Sequence, residues 1–281
     1  MVQQIKAVFV NRLSDIARNC FDNIIISSFI GLVAVAIYDN YYYIYTAIMG
    51  FMSIIIHSIR ASVGNSLVKE SEDKNFNDLK KLTFVFMFIS GWCTVCLLCL
   101  YQPFMYIWMR GRAEMMLPFF DMILFCVYFY TFCMTHTKGV YLEGKGLFWE
   151  CRKLYIAEAL SNLLLNIVLG YFFGITGVLI ATIVTIFFIN FIGGSNVLFK
   201  NYFKKGKREF LILHLVCFLT TVVNCTICYF ITNLIPGTGI ISFVMKLFTC
   251  VILPPIVYIL FYYRSKIFGE AVEIGKRFIN L

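Results

Sequence analysis

The amino-acid sequence predicts an all-α integral membrane protein of about eight transmembrane helices. Hydrophobic residues make up 60% of the 281 residues, only 14% are charged, and the mean hydropathy is +0.82. Soluble domains are typically about half apolar and about a quarter charged. A soluble fold of 281 residues could not bury this much apolar surface in one core. Hydrocarbon takes up the excess because it replaces water as the outer solvent.

Long apolar stretches recur along the whole chain, and each is long enough for a helix that crosses the bilayer, which needs about 20 residues. Their approximate bounds are 9–31, 36–62, 82–108, 116–136, 152–173, 174–199, 209–233 and 240–263. The fifth and sixth are separated only by GYFFGITG, and its glycines favour a tight helical hairpin over one kinked helix. The seventh and eighth are separated by NLIPGTG, a typical turn sequence.

The basic residues predict the orientation. If the N-terminus is cytoplasmic, nearly all of the 24 lysines and arginines fall on the cytoplasmic side of the spans, as the positive-inside rule requires. The exceptions are Arg110 and Arg112 in an outer loop and Lys246 in the last span. We therefore predict a multi-pass protein of the cytoplasmic membrane with both termini in the cytoplasm. The net charge of +9 could suggest a nucleic-acid partner. We expect none, because no basic stripe or RNA-binding motif is present.

The first span carries charged side chains on one face. Asn11, Asp15, Arg18 and Asp22 recur at spacings of 4, 3 and 4 residues, and Arg12 lies beside them. A charge at the bilayer centre costs about 2.5–3.5 kcal/mol, so these residues are expected to face protein or a watery cavity. We predict a cavity wall that meets a charged substrate or a coupling ion. Internal ion pairs, or a headgroup position for residues 11–15, are the alternatives.

Two further polar stripes have helical spacing. Ser53, His57 and Arg60 lie near the cytoplasmic end of the second span, where Arg60 is a candidate phosphate-binding guanidinium or an interfacial anchor. Glu158 and Asn162 begin a polar ridge in the fifth span that continues to Asn166. We take His57, Arg60, Glu158 and Asn162 as candidate cavity-lining residues; interhelical hydrogen bonding is the alternative, and it is favoured for the asparagines.

Other residue patterns carry less chemistry. The tyrosines of 39–45 are typical of an interfacial aromatic belt, with stacking on sugars as the alternative. Most of the 11 cysteines lie in apolar runs, and two groups, Cys93/Cys96/Cys99 and Cys225/Cys228, have the CxxC spacing of zinc or redox sites. Because no His, Asp or Glu neighbours either group, we interpret them as small hydrophobic residues and expect no metal site. No nucleophile, phosphate-loop or dinucleotide motif is present. We therefore expect no enzyme activity, no catalytic residue and no cofactor.

Several longer segments resemble one family. The run DNIIISSFIGLVAVAIYDNYYYIYTAIMG, followed by SIRASVGNSLVKES, resembles the seventh and eighth helices of bacterial polysaccharide flippases. The segment IAEALSNLLLNIVLGYFFGITGVLIATI and the NYF-K cluster after it resemble later helices of the same lobe. These proteins form the O-antigen and capsule branch of the multidrug/oligosaccharidyl-lipid/polysaccharide exporter superfamily. The resemblance extends over nearly the whole chain and depends on many moderately specific positions.

The resemblance implies a C-terminal six-helix transporter lobe at 1–205, two additional transmembrane helices at 206–263 and a cytoplasmic amphipathic tail at 264–281. It also implies an N-terminal lobe that is missing or separately encoded. The implied activity is the movement of an undecaprenyl-diphosphate-linked oligosaccharide across the membrane by alternating access, for polysaccharide biosynthesis. Membrane lipids are the other expected partners. Arg18 would contact the diphosphate or sugar, and Asp15 and Asp22 would tune local charge or a coupling cation.

Two other functions stay open at this point. A cation-coupled multidrug exporter half would share the fold, but its cationic substrates favour acidic cavities, whereas the first span carries Arg12 and Arg18. A non-transporting membrane subunit of a glycan assembly complex would need no substrate cavity. A neighbouring reading frame for six further helices would favour a split flippase.

Overall fold

The computed structural model describes residues 2–271, apart from a few side chains near the start of the first helix: Val2, Gln4, Asp15, Ala17, Arg18 and Asn19. The described residues form helices joined by short turns, with no β-strand among them. This confirms the predicted all-α integral membrane fold. Residues 272–281 of the predicted amphipathic tail lie outside the described part.

The helices follow one another closely along the chain. They are α1 (Val2–Phe29), α2 (Leu32–Lys69), α3 (Glu72–Trp108), α4 (Phe119–Met134), α5 (His136–Gly144), α6 (Phe148–Phe173), α7 (Ile175–Thr185), α8 (Gly194–Leu198), α9 (Arg208–Asn233) and α10 (Ile240–Tyr262). Two π-helical segments, Ile186–Gly193 and Phe199–Phe203, flank α8 and make one continuous helical segment from α7 onward.

Seven helical segments are long and apolar enough to cross a membrane. They are Leu32–Lys69, Glu72–Trp108, Ala113–Gly144, Phe148–Phe173, Ile175–Phe203, Arg208–Asn233 and Ile240–Tyr262. Helix α1 adds a shorter apolar part at Cys20–Phe29. At about 1.5 Å per residue, the 38 residues of α2 extend well beyond the hydrocarbon thickness of about 30 Å. The hydrophobic pattern thus locates the spans but not the helix ends.

A tight hairpin joins α6 and α7, as the glycine-rich sequence predicts. Gly174, between the two helices, has a φ of +62°, a backbone conformation that residues other than glycine rarely adopt. Gly177 passes so close to α6 that an added Cβ would lie 1.9 Å from the Leu169 carbonyl oxygen. The two glycines therefore allow both the reversal and the close approach of the backbones.

The chain divides into two compact units. The first contains the residues up to Phe76 together with Ile123–Lys207, and the second contains Asn77–Met122 together with the chain from Arg208 onward. The boundary at Lys207 lies close to the one predicted after residue 205, whereas Asn77–Met122 groups with α9 and α10. The assignment of a six-helix lobe and two additional helices stays a prediction.

In the first unit, the tyrosine-rich segment packs between helices. Tyr38, Tyr41 and Tyr45 of α2 are buried, and the rings of Tyr45 and Tyr128 of α4 stack with centroids 4.5 Å apart. Phe125 of α4 packs on the first two tyrosines. These three tyrosines therefore pack α2 against α4, whereas Tyr43 of the predicted aromatic belt is 65% exposed.

In the second unit, a proline explains a polar contact deep in the bundle. Pro254 lies inside α10 and has no N–H, so the carbonyl of Cys250 lacks its intrahelical donor. The indole Nε1 of Trp92 in α3 donates to this carbonyl at 2.9 Å. Asn224 of α9 donates to the carbonyl of Pro254 at 3.0 Å. Side chains thus satisfy backbone groups where water is absent.

Candidate functional site

A buried polar ridge runs along α6 in the first unit. Glu158, Asn162 and Asn166 are all buried, as their spacing of four residues predicts for one helix face. The Asn162 amide donates to the hydroxyls of Thr182 at 3.2 Å and Thr185 at 3.4 Å on α7. Asn162 therefore holds the α6–α7 hairpin together by interhelical hydrogen bonds, the alternative weighed for the asparagines.

The C-terminal part of this ridge, at Asn166, is connected to α1 and α2 through Asp22. The Asn166 amide donates to one carboxylate oxygen of Asp22 at 2.7 Å and to the Asn162 side-chain oxygen at 3.2 Å. The Tyr38 hydroxyl donates to the other Asp22 oxygen at 3.1 Å. Asp22 is 4% exposed, so these donors stabilise a carboxylate that the membrane interior would otherwise disfavour.

A second hydrogen-bonded network lies at the other end of the ridge, around Glu158. The Lys138 ammonium of α5 donates to the Asn190 side-chain oxygen at 3.0 Å, and the Asn190 amide donates to Glu158 Oε2 at 2.9 Å. Asn190 belongs to the π-helical segment Ile186–Gly193, and π-helical turns frequently occur at functional sites. The amide of Asn190 therefore bridges a buried cation and a buried anion from two other helices.

Gly194 makes room for the Lys138 side chain. A Cβ at position 194 would lie 2.8 Å from the Lys138 Nζ. The lysine is only 3% exposed, although burial of a charge is costly unless it is paired or hydrogen-bonded. Lys138 is absent from the predicted site residues because the positive-inside pattern assigns it to a cytoplasmic segment. The uncharged neighbours Thr137 and Gly139 are the sequence feature that distinguishes it from the cations of a loop.

A polar cavity of about 220 Å³ opens beside this second network, within the first unit. Its charged lining residues come from four helices: Arg12 of α1, Arg60 of α2, Lys138 and Glu143 of α5, and Glu158 of α6. Asn11, His136, Tyr155 and Asn190 add further polar groups. The guanidinium of Arg60 forms an ion pair with Glu143 at 3.0 Å. Of the side chains that the structure describes, the other basic ones in the lining are the exposed Arg12 and the buried Lys138.

The structure brings three of the predicted site residues to this cavity and distributes the others. Arg12, Arg60 and Glu158 line it. Asp22 and Asn162 lie instead in the hydrogen-bond network of the ridge. The His57 side chain is exposed on α2. Asp15 and Arg18 belong to α1, and their side chains lie outside the described part of the structure.

The cysteines form no recognisable metal centre. All 11 are free thiols, and among the described residues no group of three or more His, Cys, Asp or Glu side chains is arranged to hold a metal ion. Cys99, Cys228 and Cys250 instead form an apolar core cluster of the second unit, with Cys96 and Cys225 packed against it. These side chains pack as small hydrophobic residues, as the sequence predicts.

Comparison of the chain with protein-family models, with curated proteins and with solved structures found no match. The fold defines the class: the chain is an all-α, multi-pass integral membrane protein.

Proposed function

We propose that the first unit belongs to a flippase of the cytoplasmic membrane that moves an undecaprenyl-diphosphate-linked oligosaccharide by alternating access. One observation carries this proposal: cationic side chains from α1, α2 and α5, namely Arg12, Arg60 and Lys138, meet at one polar cavity. Ionisable residues within membrane bundles are costly and typically mark substrate or ion pathways. Phosphate groups are bound by such cations through charge-assisted hydrogen bonds.

The charge balance of the cavity favours an anionic substrate. The carboxylate of Glu143 is paired with Arg60 at 3.0 Å, and Glu158 accepts a hydrogen bond from the neutral amide of Asn190. Among the described lining residues, the three cations Arg12, Arg60 and Lys138 exceed these two carboxylates by one positive charge. A multidrug exporter with cationic substrates would gain from the reverse balance, so it is the less favoured candidate. By resemblance, the proposed partner of this unit is a second six-helix lobe.

Glycan export in the native host tests the proposal. Deletion of the gene is expected to remove a surface polysaccharide, and the wild-type gene is expected to restore it. The double variant Arg12→Ala/Arg60→Ala is expected to restore at least about tenfold less, measured as lectin binding to intact cells, because two of the three lining cations that carry the proposal are lost. The matched control is Lys266→Ala, which removes a charge that is 92% exposed and does not line the cavity.

Two results would contradict this function. One is surface polysaccharide that is unchanged by the deletion, and the other is full restoration by the double variant at wild-type protein level. Increased retention of cationic dyes in the deletion strain, with polysaccharide intact, would favour the multidrug exporter.

A further inference from the structure

We propose that Lys138 binds a phosphate-type anion at the wall of the cavity. This inference rests on the proposed function and names the side chain that contacts the diphosphate. Lys138 also differs from the residues that the sequence indicated, all of which lie in α1, α2 or α6.

In the described part of the chain, the ammonium group of Lys138 has more donors than acceptors. A lysine ammonium carries three N–H donors, and the Lys138 side chain is 3% exposed. Among the described residues, its hydrogen-bond acceptor is the Asn190 side-chain oxygen at 3.0 Å. Because a buried cation with donors left over is unfavourable, a ligand with several anionic oxygens is the complement that this position lacks.

Asn190 is oriented by its two hydrogen-bond partners. Its amide nitrogen donates to Glu158 Oε2 at 2.9 Å, which leaves its oxygen directed at the Lys138 ammonium. The amide therefore lies between the lysine and the carboxylate that would otherwise be its natural ion-pair partner. Asn190 is a positioning residue in this arrangement, since it holds Lys138 at the cavity wall.

The cavity has room for a charged group. Its volume of about 220 Å³ far exceeds the ~10–15 Å³ that one water needs by the same kind of measure. A diphosphate group is a ligand of suitable size. The cavity is therefore suited to the charged group of a ligand, with Arg12 as a second cation on the same lining.

Two neighbouring glycines allow a test that leaves the charge of Lys138 in place. A Cβ at Gly194 would lie 2.8 Å from the Lys138 Nζ, which is the flexible end of a long side chain. Gly194→Ala is thus expected to displace the ammonium and to leave the backbone intact. Gly193→Ala is the matched control, because its Cβ would lie 3.0 Å from Leu154 Cδ2 and does not approach the lysine.

The experiment measures equilibrium binding of radiolabelled inorganic pyrophosphate to the full chain in phosphatidylcholine nanodiscs, which contain no anionic lipid. We expect saturable binding by the wild type. Lys138→Met and Gly194→Ala are expected to raise the Kd at least about tenfold, since one removes the ammonium and the other moves it. Gly193→Ala and Lys153→Met, which removes an exposed charge from α6, are expected to stay within about twofold.

The outcomes separate this inference from the proposed function. Wild-type binding that is unchanged in both Lys138→Met and Gly194→Ala overturns the role of Lys138, while the export assay still decides the flippase function. Absence of pyrophosphate binding by the wild type also overturns it. Displacement of bound pyrophosphate by undecaprenyl diphosphate in the nanodisc identifies a lipid as the source of the phosphate; lack of displacement supports a soluble phosphate ligand and overturns the link to the lipid substrate.

Discussion

The carboxylate of Asp22 and the side-chain amide of Asn166 are joined by a buried hydrogen bond of 2.7 Å, although 144 residues separate them in the chain. The contact connects α1 to the C-terminal half of α6, and the Tyr38 hydroxyl of α2 donates to the same carboxylate. Three helices thus depend on one acidic side chain. One end of the polar ridge of α6, at Asn166, therefore joins helices through Asp22, and the other end, at Glu158, lines the cavity.

The first prediction concerns the stability of this contact. Asn166→Ala removes a donor from the buried carboxylate of Asp22, so it is expected to lower the free energy of unfolding by about 0.5–2 kcal/mol, the range found for hydrogen bonds between membrane helices. Thermal unfolding in detergent, followed by a thiol-reactive dye that labels buried cysteines as they become exposed, measures the effect.

Asn201→Ala is the control for this variant. Asn201 is exposed, and its side chain donates to the Val197 carbonyl of the preceding helical turn. Its loss is expected to change the unfolding temperature little. Equal effects of the two substitutions would show that the Asp22–Asn166 contact does not hold α1 to α6.

The second prediction concerns close packing in the second unit. A Cβ at Gly91 of α3 would lie 2.1 Å from the Tyr258 hydroxyl oxygen and 2.6 Å from Thr221 Oγ1, and these two hydroxyls are hydrogen-bonded at 2.7 Å. Gly91→Ala is therefore expected to destabilise the protein by about 1–3 kcal/mol, as overpacking of a core typically does. The same unfolding assay measures the loss.

A double variant tests whether overpacking against Tyr258 causes the loss of stability. Tyr258→Phe removes the atom nearest to the added methyl group, so Gly91→Ala/Tyr258→Phe is expected to be more stable than the sum of the two single effects. Rescue is partial because Thr221 Oγ1 at 2.6 Å and the ring carbon of Tyr258 at 3.0 Å remain close to the added methyl group. Strict additivity would contradict the packing of α3 against this tyrosine. Gly50→Ala, with no atom within 4 Å of its Cβ, is the control.

The third prediction concerns orientation. Lys204 Nζ lies 3.8 Å from Glu72 Oε1, and Lys205 forms an ion pair with Asp73, so the start of α3 and the segment before α9 lie at one end of the first unit. Reporter fusions after residues 70 and 206 are expected to be cytoplasmic, and a fusion after Arg112 is expected to be external. Fusions after 70 and 206 that report opposite faces would overturn both the topology and this end of the fold.

Much of the fold was predictable because the signals are local. The apolar stretches locate the spans, since a bilayer requires about 20 apolar residues for each crossing. The hairpin at Gly174 and Gly177 follows from a short glycine-rich sequence, and the ridge of Glu158 and Asn162 follows from helical spacing. The helix ends were less predictable, because α2 and α3 continue beyond hydrocarbon into polar sequence that carries no apolar signal.

The site depended more on tertiary structure. Arg12, Arg60 and Glu158 were identifiable as polar residues on apolar helices, but Lys138 and Asn190 were not, because one resembles a loop cation and the other an isolated amide. Their roles exist only where α5, α6 and the π-helical segment meet.

Hydropathy and the placement of basic residues determined by themselves that this is a multi-pass helical membrane protein, because partitioning into lipid acts on each segment independently. Only the tertiary structure decided which polar side chains are partners. Asp22 meets Asn166, and Lys138 meets Asn190, because helix packing brings distant segments together and a bilayer interior leaves buried polar groups no water to bind.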